Sequence, residues 1–357
     1  MNLFMTLSIF LFILFIYIYI IDQYKTGDDL EIYEIDYRNN HHLQEACDVH
    51  QPILFYIDHL VPRFFQDLSL ENMAKFGSYD LSLKNVDDYY QPDACLDPLP
   101  LPFYQTIRTI EMDKSSHYFS ENNREFLEET GLYKSFQHLD DLFKPSFHLY
   151  SKYDITTGSV NTVSPLRFHK YYRQFMCVVS GKIHIRMAPW KNTQYLYYSK
   201  GDYEYYEFRS PVHSTHPKPE HSKNFDKIHF LQFDVLPGQS LYIPPYWWYS
   251  IEYMESNTFV GTVSYSTWMN TLANMPDLAL YWLQQQNITK KVKISTVSND
   301  TNDTNDTNVL DEEIQLDIKN VEYKKELTEE KEEVENIQEE SDPISIVIQE
   351  IETIDEL

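Results

Sequence analysis

The sequence Leu236-Pro237-Gly238-Gln239-Ser240-Leu241-Tyr242-Ile243-Pro244-Pro245-Tyr246-Trp247-Trp248-Tyr249 decides the fold of this chain. A Pro-Gly turn precedes one short apolar run, and a Pro-Pro pair separates that run from a second, aromatic one. Short apolar runs that are bounded by Pro and Gly are typical of buried β-strands. The sequence therefore predicts two consecutive strands joined by a tight turn.

Similar strand patterns continue on both sides of this sequence. Gly181 and Glu255-Ser256-Asn257 provide further turns between them. The predicted strands are Phe147–Tyr153, Gln174–Val179, Lys182–Met187, His229–Val235, Ser240–Ile243, Trp247–Tyr253 and Thr258–Ser264. Many short strands with such turns indicate a mainly β fold, either a sandwich or a barrel.

Two motif blocks in this region resemble the JmjC and cupin-like oxygenase family. The first is Ser164-Pro165-Leu166 followed by the hydrophobic stretch Phe175–Lys182, and the second is Leu236–Trp248 with its Trp-Trp pair. The resemblance covers roughly residues 150–265, and it implies a double-stranded β-helix, the cupin or jelly-roll barrel, with flanking helices. It also implies Fe(II) held by a His-x-Asp/Glu pair and a distant His, with open positions for 2-oxoglutarate and dioxygen.

None of the three metal positions carries the residue that this resemblance implies. The first His falls on Arg167, the acidic residue on His169 and the distant His on Tyr249. A guanidinium has no lone pair to give to a metal, and a phenol with an ordinary pKa of about 10 is a weak ligand near pH 7. We therefore expect a degenerate metal site with no bound metal and no catalytic residue.

The co-substrate position is altered as well. Many family members have a Lys two residues after the turn glycine that pairs with the 2-oxoglutarate carboxylate, and this position is Ile183 here. Lys182 is adjacent, but strand alternation points it to the opposite face unless a bulge intervenes. The candidate pocket residues are Arg173, Lys182, Trp247 and Trp248.

Two interpretations of the arginines stay open. Arg167 and Arg173, together with His169, are candidates for binding an anion such as a carboxylate or a phosphate. Alternatively, Arg167 pairs with an acidic side chain inside the barrel, because structural ion pairs are common.

The chain begins with a long hydrophobic run from Leu3 to Ile21, whose only polar residues are Thr6 and Ser8. At about 1.5 Å per residue, such a helix just spans about 30 Å of hydrocarbon. No small-residue cleavage site follows. The run therefore predicts a single-pass transmembrane anchor over residues 1–22.

The side of the membrane on which the body would lie is not decided by the flanking charges. Asn287, Asn299, Asn302 and Asn305 each begin a glycosylation sequon, which would suit a lumenal body. A tract rich in Asn, Asp and Thr also produces sequons by composition alone. A disulfide between Cys47 and Cys95 likewise stays open.

Three regions follow the anchor. Residues 28–145 are predicted to form a mixed α/β region that packs on the barrel, with a helix from near Ser120 to Thr130. Residues 146–290 contain the barrel and a C-terminal helix that begins near Pro276. Residues 291–357 lack the aromatic residues that a core needs and are predicted to be a disordered acidic tail.

The composition excludes some function classes. The net charge of −26 argues against nucleic acid, whose phosphates require a basic surface. The 8 glycines form no phosphate-binding loop. Two classes remain: a membrane-anchored, non-catalytic cupin/JmjC-like protein that binds a ligand or a protein partner, and an Fe(II)/2-oxoglutarate-dependent protein hydroxylase with an unusual metal site that includes His169. The sequence favours the first.

Overall fold

The computed structural model describes residues 3–24, 27–90, 98–197, 207–277, 279 and 283. The predicted acidic tail, the four sequon asparagines and Cys95 lie outside these residues, so the predictions about them stay predictions. Cys47 lies within them as a free, buried thiol.

The α-helices belong mainly to the region that precedes the barrel strands. They are α1 (Leu3–Tyr24), α2 (Asn40–Cys47), α3 (Pro62–Asp67), α4 (Leu70–Met73), α5 (Phe103–Met112), α6 (Arg124–Thr130), α7 (Tyr133–Phe143) and α8 (Pro219–Phe225), and residues 268–277 after the last strand are helical as well. Short 3-10 helices lie at Ala74–Phe76, Val86–Tyr90 and Trp190–Tyr195.

The strands begin in the same region and dominate the rest of the described chain. They are β1 (Tyr33–Glu34), β2 (Ile53–Tyr56), β3 (Asp80–Asn85), β4 (Leu99–Pro102), β5 (Tyr118–Ser120), β6 (His148–Gly158), β7 (Arg167–His169), β8 (Arg173–Ser180), β9 (Ile183–Ala188), β10 (Glu207–Arg209), β11 (Leu231–Val235), β12 (Gln239–Ile243), β13 (Trp248–Tyr253) and β14 (Phe259–Thr267).

These strands form two sheets that face each other. The larger sheet has the order β1-β2-β12-β8-β14-β6-β5-β3-β4, and the smaller one has the order β10-β7-β13-β9-β11. Met176 and Val260 of the larger sheet share one buried cluster with Ile185 and Ile251 of the smaller sheet. This apolar layer fills the interior between the sheets, as in a cupin-like β-barrel.

Helices cover the other face of the larger sheet. The Phe143 ring of α7 stacks on Phe175 of β8, with ring centroids 4.4 Å apart. Phe64 of α3 meets Phe136 of α7 edge to face at 5.2 Å. The region 28–145 thus buries its aromatic residues against the barrel strands, which is the packing that the hydrophobic effect favours.

Glycine turns set two of the strand boundaries that the sequence predicts. Gly181 (φ +68°) lies between β8 and β9, and Gly238 (φ +86°) lies between β11 and β12. A side chain would be strained at these positive φ values. At Gly181 an added Cβ would also lie only 2.2 Å from Thr258 Oγ1.

The predicted transmembrane anchor is the part of the fold prediction that is wrong. Residues Leu3–Tyr24 form a helix, but within the described residues no helix is both long and apolar enough to cross a membrane.

Two predicted helix starts also differ from the structure. The helix expected from near Ser120 begins at Arg124, because Ser120 is the last residue of β5. It ends at Thr130, as predicted, and Gly131 (φ +74°) follows it. The C-terminal helix begins at residue 268, ahead of Pro276, and residues 268–277 are helical. Thr267 explains the earlier start, since its hydroxyl accepts the Asn270 N–H at 3.3 Å.

We predict that Gly261→Ala destabilises the protein by about 1–3 kcal/mol, the usual cost of overpacking a core. The new Cβ on β14 would lie 2.7 Å from Phe64 Cζ and 3.2 Å from Phe136 Cε1. Denaturant unfolding measures the change. Gly77→Ala is the matched control, because its Cβ meets nothing closer than 3.3 Å, and equal stability of the two variants would contradict this packing.

Candidate functional site

The three predicted metal positions lie together inside the barrel. Arg167 of β7 pairs with Tyr249 of β13 in antiparallel register, and its guanidinium carbon lies 5.3 Å from the Tyr249 ring centroid. The His169 ring lies 6.2 Å from the same ring, measured between centroids. All three residues are buried. The spacing of the motifs along the sequence therefore corresponds to one site in the fold.

Arg167 is held by a carboxylate instead of facing an open cavity. Its Nη1 donates to Glu121 Oε2, and the same nitrogen lies 3.5 Å from Glu207 Oε2. Glu121 follows β5 directly and has a side chain that is 2% exposed. This arrangement agrees with the second interpretation of Arg167, in which it pairs with an acidic residue inside the barrel.

Glu121 is the centre of a larger polar group. Its Oε1 accepts hydrogen bonds from Lys84 Nζ at 3.2 Å, Arg209 Nη2 at 3.1 Å and the Tyr89 hydroxyl at 3.2 Å. We call Lys84, Tyr89, Glu121, Arg167, Glu207 and Arg209 the Glu121 cluster. Burial alone would raise the pKa of Glu121, but Arg167, Lys84 and Arg209 outweigh it and hold that pKa well below the ordinary value. The carboxyl group is therefore ionised.

The backbone that carries Glu121 is fixed on β6. The Asp154 carboxylate accepts the Asn122 N–H at 2.8 Å and the Asn123 N–H at 2.7 Å. The Asn123 side chain donates to the carbonyl of Ile155 at 2.7 Å. These bonds to β6 hold the segment that presents Glu121 to the cations of the cluster.

Tyr249 remains a phenol in this environment. Burial raises its pKa, and the nearby Arg167 charge only partly opposes that effect. Its hydroxyl accepts a hydrogen bond from Gln174 Nε2 of the larger sheet at 3.1 Å. A protonated phenol is a poor metal ligand, so this position does not replace the missing histidine.

His169 is a neutral imidazole. Burial lowers its pKa to about 3, and the Arg167 charge adds to that effect. Its Nε2 lies 3.1 Å from the carbonyl of Ile243, which fixes the proton on that nitrogen. Nδ1 then carries the lone pair, and it has no hydrogen-bond partner among the described residues.

The residues at the three positions do not fit an iron ion. Fe(II) of this type needs two imidazoles and a carboxylate on one face, and the site offers a guanidinium, one imidazole and a phenol. Glu121 supplies a carboxylate, but three cations already engage it. Across the described part of the chain, no three His, Cys, Asp or Glu side chains are arranged to hold a metal.

Comparison with protein families agrees with this fold. Residues 102–275 match the family model described as the cupin-like domain. This part of the chain is a cupin-like domain. The match includes Glu121, β7 and β13, so the Glu121–Arg167 pair lies within the domain.

The curated relatives are more distant. The chain is 25% identical over 112 residues to HSPB1-associated protein 1 of Rattus norvegicus, and it has the same identity and length of match to the Homo sapiens protein of that name. Each match covers 31% of this chain and 22% of the relative. The chain thus spans about a fifth of the length of the curated relatives it matches.

Two of the candidate pocket residues lie away from the Glu121 cluster. Arg173 of β8 pairs with Asp48, and its Nε donates to Gln44 of α2 at 3.2 Å, so it joins the cupin-like domain to the N-terminal region. Lys182 pairs with Asp234 of β11 at 2.6 Å and is partly exposed. Strand alternation explains its position, because the neighbouring Ile183 points into the core.

The two tryptophans serve packing. Trp247 lies in the barrel core and donates its indole N–H to the His50 carbonyl at 3.2 Å. Trp248 packs in a separate cluster on the other side of β13 and donates to Thr193 Oγ1 at 2.9 Å. Both residues are fully buried.

Sequence reasoning missed most of the Glu121 cluster. It left open that Arg167 pairs with an acid, but Glu121 lies 46 residues away along the chain. The one available signal was the need of a buried arginine for a carboxylate. That need did not distinguish Glu121 from the many other acidic residues of the sequence.

We predict that Glu121→Gln lowers the free energy of unfolding by about 3–5 kcal/mol at pH 7, because it leaves buried cations without their carboxylate. Urea unfolding measures the loss. Glu129→Gln is the matched control on α6, since Glu129 is exposed, and we expect a change below about 0.5 kcal/mol there. A loss at Glu121 as small as the control's would contradict the central role of this carboxylate.

A comparison of wild type with Glu121→Gln also gives a prediction about the pH dependence of stability. The pKa of Glu121 is lower in the folded state than its ordinary value of 4.5, so its ionised form stabilises the fold above that pH. As the pH falls below 4.5 toward the folded-state pKa, this contribution is lost. The stability difference between wild type and Glu121→Gln should therefore shrink in acid, and a difference that grows in acid would contradict the assignment.

Proposed function

We propose that this protein uses its cupin-like domain as a binding module and does not carry out iron-dependent oxidation. The ion pair between Arg167 and Glu121 carries the proposal, because a permanently charged guanidinium occupies the first metal position. The carboxylate nearest to that position is engaged by Lys84, Arg167 and Arg209. The guanidinium has no lone pair to give to a metal, and the carboxylate is already paired with three cations.

The remaining donor does not restore metal binding by itself. His169 offers a neutral Nδ1, while Tyr249 remains protonated. A single imidazole falls short of the three-residue set that non-haem iron requires. The unpaired Nδ1 is nevertheless the one observation that favours the alternative function, a 2-oxoglutarate-dependent hydroxylase with an unusual metal site.

The class of ligand is part of the same proposal. The relatives are named for their association with HSPB1, and this supports a protein partner for the present chain. The net charge of −26 gives no support to a nucleic-acid ligand.

Metal analysis of the purified full-length chain tests the proposal. After incubation with Fe(II) or Mn(II) and removal of the excess, we expect far less than one metal ion per chain and no 2-oxoglutarate consumption above that of buffer. His169→Ala is the control, and it should leave the residual metal unchanged. Stoichiometric metal that His169→Ala removes, together with 2-oxoglutarate turnover, would overturn the proposal in favour of the hydroxylase.

A further inference from the structure

We propose that the Glu121 cluster is a carboxylate-binding site that Glu121 occupies from within, and that the site takes the carboxylate of a small organic acid when the Glu121 side chain leaves it. The inference rests on the proposed function in one respect, since it requires that no metal ion is bound at the positions of Arg167, His169 and Tyr249. In every other respect it is independent of that function.

The donors of the cluster converge on one carboxylate from separate parts of the fold. Lys84 lies on β3, Tyr89 on the 3-10 helix Val86–Tyr90, Arg167 on β7 and Arg209 on β10. Charge-assisted hydrogen bonds from several cations are the usual means of carboxylate recognition. The geometry is therefore that of a binding site with its ligand in place, and the ligand belongs to the same chain.

The cluster carries more positive charge than one carboxylate neutralises. It contains three cationic side chains and two carboxylates, Glu121 and Glu207. Glu207 is the more distant of the two, lying 3.5 Å from Arg167 and 3.9 Å from Arg209. Removal of the Glu121 charge would leave a net charge of about +2 in a buried place, where an unpaired charge is costly. An external carboxylate would relieve that cost.

Arg167 also retains an unused donor. Its side chain is 5% exposed, and its Nε has no hydrogen-bond partner among the described residues. A buried polar group without a partner is uncommon and calls for a bound water or ligand. This nitrogen belongs to the same guanidinium that binds Glu121, so a carboxylate that replaces Glu121 has a further donor within the site.

Open space lies next to two members of the cluster and next to the two residues that follow Glu121 along the chain. A cavity of about 160 Å³ is lined by Lys84 and Tyr89. A cleft of about 690 Å³ is lined by Asn122 and Asn123, which follow Glu121 directly, and by Tyr171, whose ring lies 5.9 Å from that of His169. A small acid thus has room to approach the segment that carries Glu121.

Side-chain truncation and acetate test this site directly. Glu121→Ala removes the Cγ atom and the carboxyl group, and acetate consists of the same heavy atoms. We expect sodium acetate to raise the melting temperature of the full-length Glu121→Ala variant in a saturable way, as a ligand of the folded state does, with an apparent Kd at least tenfold lower than for wild type. Sodium chloride at equal ionic strength should not produce this rise.

Glu121→Gln is the matched control, because its amide fills the space and should prevent the acetate response. If Glu121→Ala does not fold in buffer, recovery of its near-UV circular dichroism during refolding in acetate, compared with chloride, becomes the measurement. An equal response to both salts, or no recovery in either, overturns the inference. Metal content separates this failure from that of the proposed function: stoichiometric iron would refute the non-catalytic barrel without bearing on the acetate response of the variant.

Discussion

The contact between the Arg167 guanidinium and the Glu121 carboxylate organises the buried polar groups of this cupin-like domain. It joins a barrel strand to the segment after β5 in the N-terminal region, and it does so at the position where the resemblance implies a metal ion. A metal would also have tied several strands together through ligands. The fixed positive charge of Arg167 makes the corresponding connections through Glu121, Glu207 and the face of Tyr249.

Burying the charged side chains of the Glu121 cluster costs desolvation free energy. Removing two charges from water costs several kcal/mol per ion, and apolar residues of the same volume often stabilise a fold as well or better. The Glu121 cluster is therefore poorly explained as a source of stability alone. Its donors come from β3, β7, β10 and the Val86–Tyr90 helix, so the cluster links four separate elements through one carboxylate.

The sequence predicts the strands of the barrel well and the elements of the preceding region, residues 28–145, poorly, and both outcomes have physical reasons. The strands β8, β9, β12 and β13 begin and end within one residue or so of the predicted positions, because Gly and Pro turns bound short apolar runs. The strands β3 and β5 were not predicted, since strands of three to six residues in a mixed region show little periodicity.

The resemblance located Arg167, His169 and Tyr249, which the fold brings together, whereas Glu121 is distant in sequence and its contact depends on tertiary packing. The early start of the C-terminal helix was missed because the Thr267 cap is a single hydroxyl, while Pro276 gave the stronger local signal.

Anomalous diffraction from crystals of the full-length protein grown with Mn(II) tests the central claim most directly, because it locates the metal and the guanidinium in one experiment. We predict that the density places the Arg167 guanidinium against Glu121, with no anomalous peak at bonding distance from His169. A strong anomalous peak that is coordinated by His169, with Arg167 turned away from Glu121, would contradict the claim.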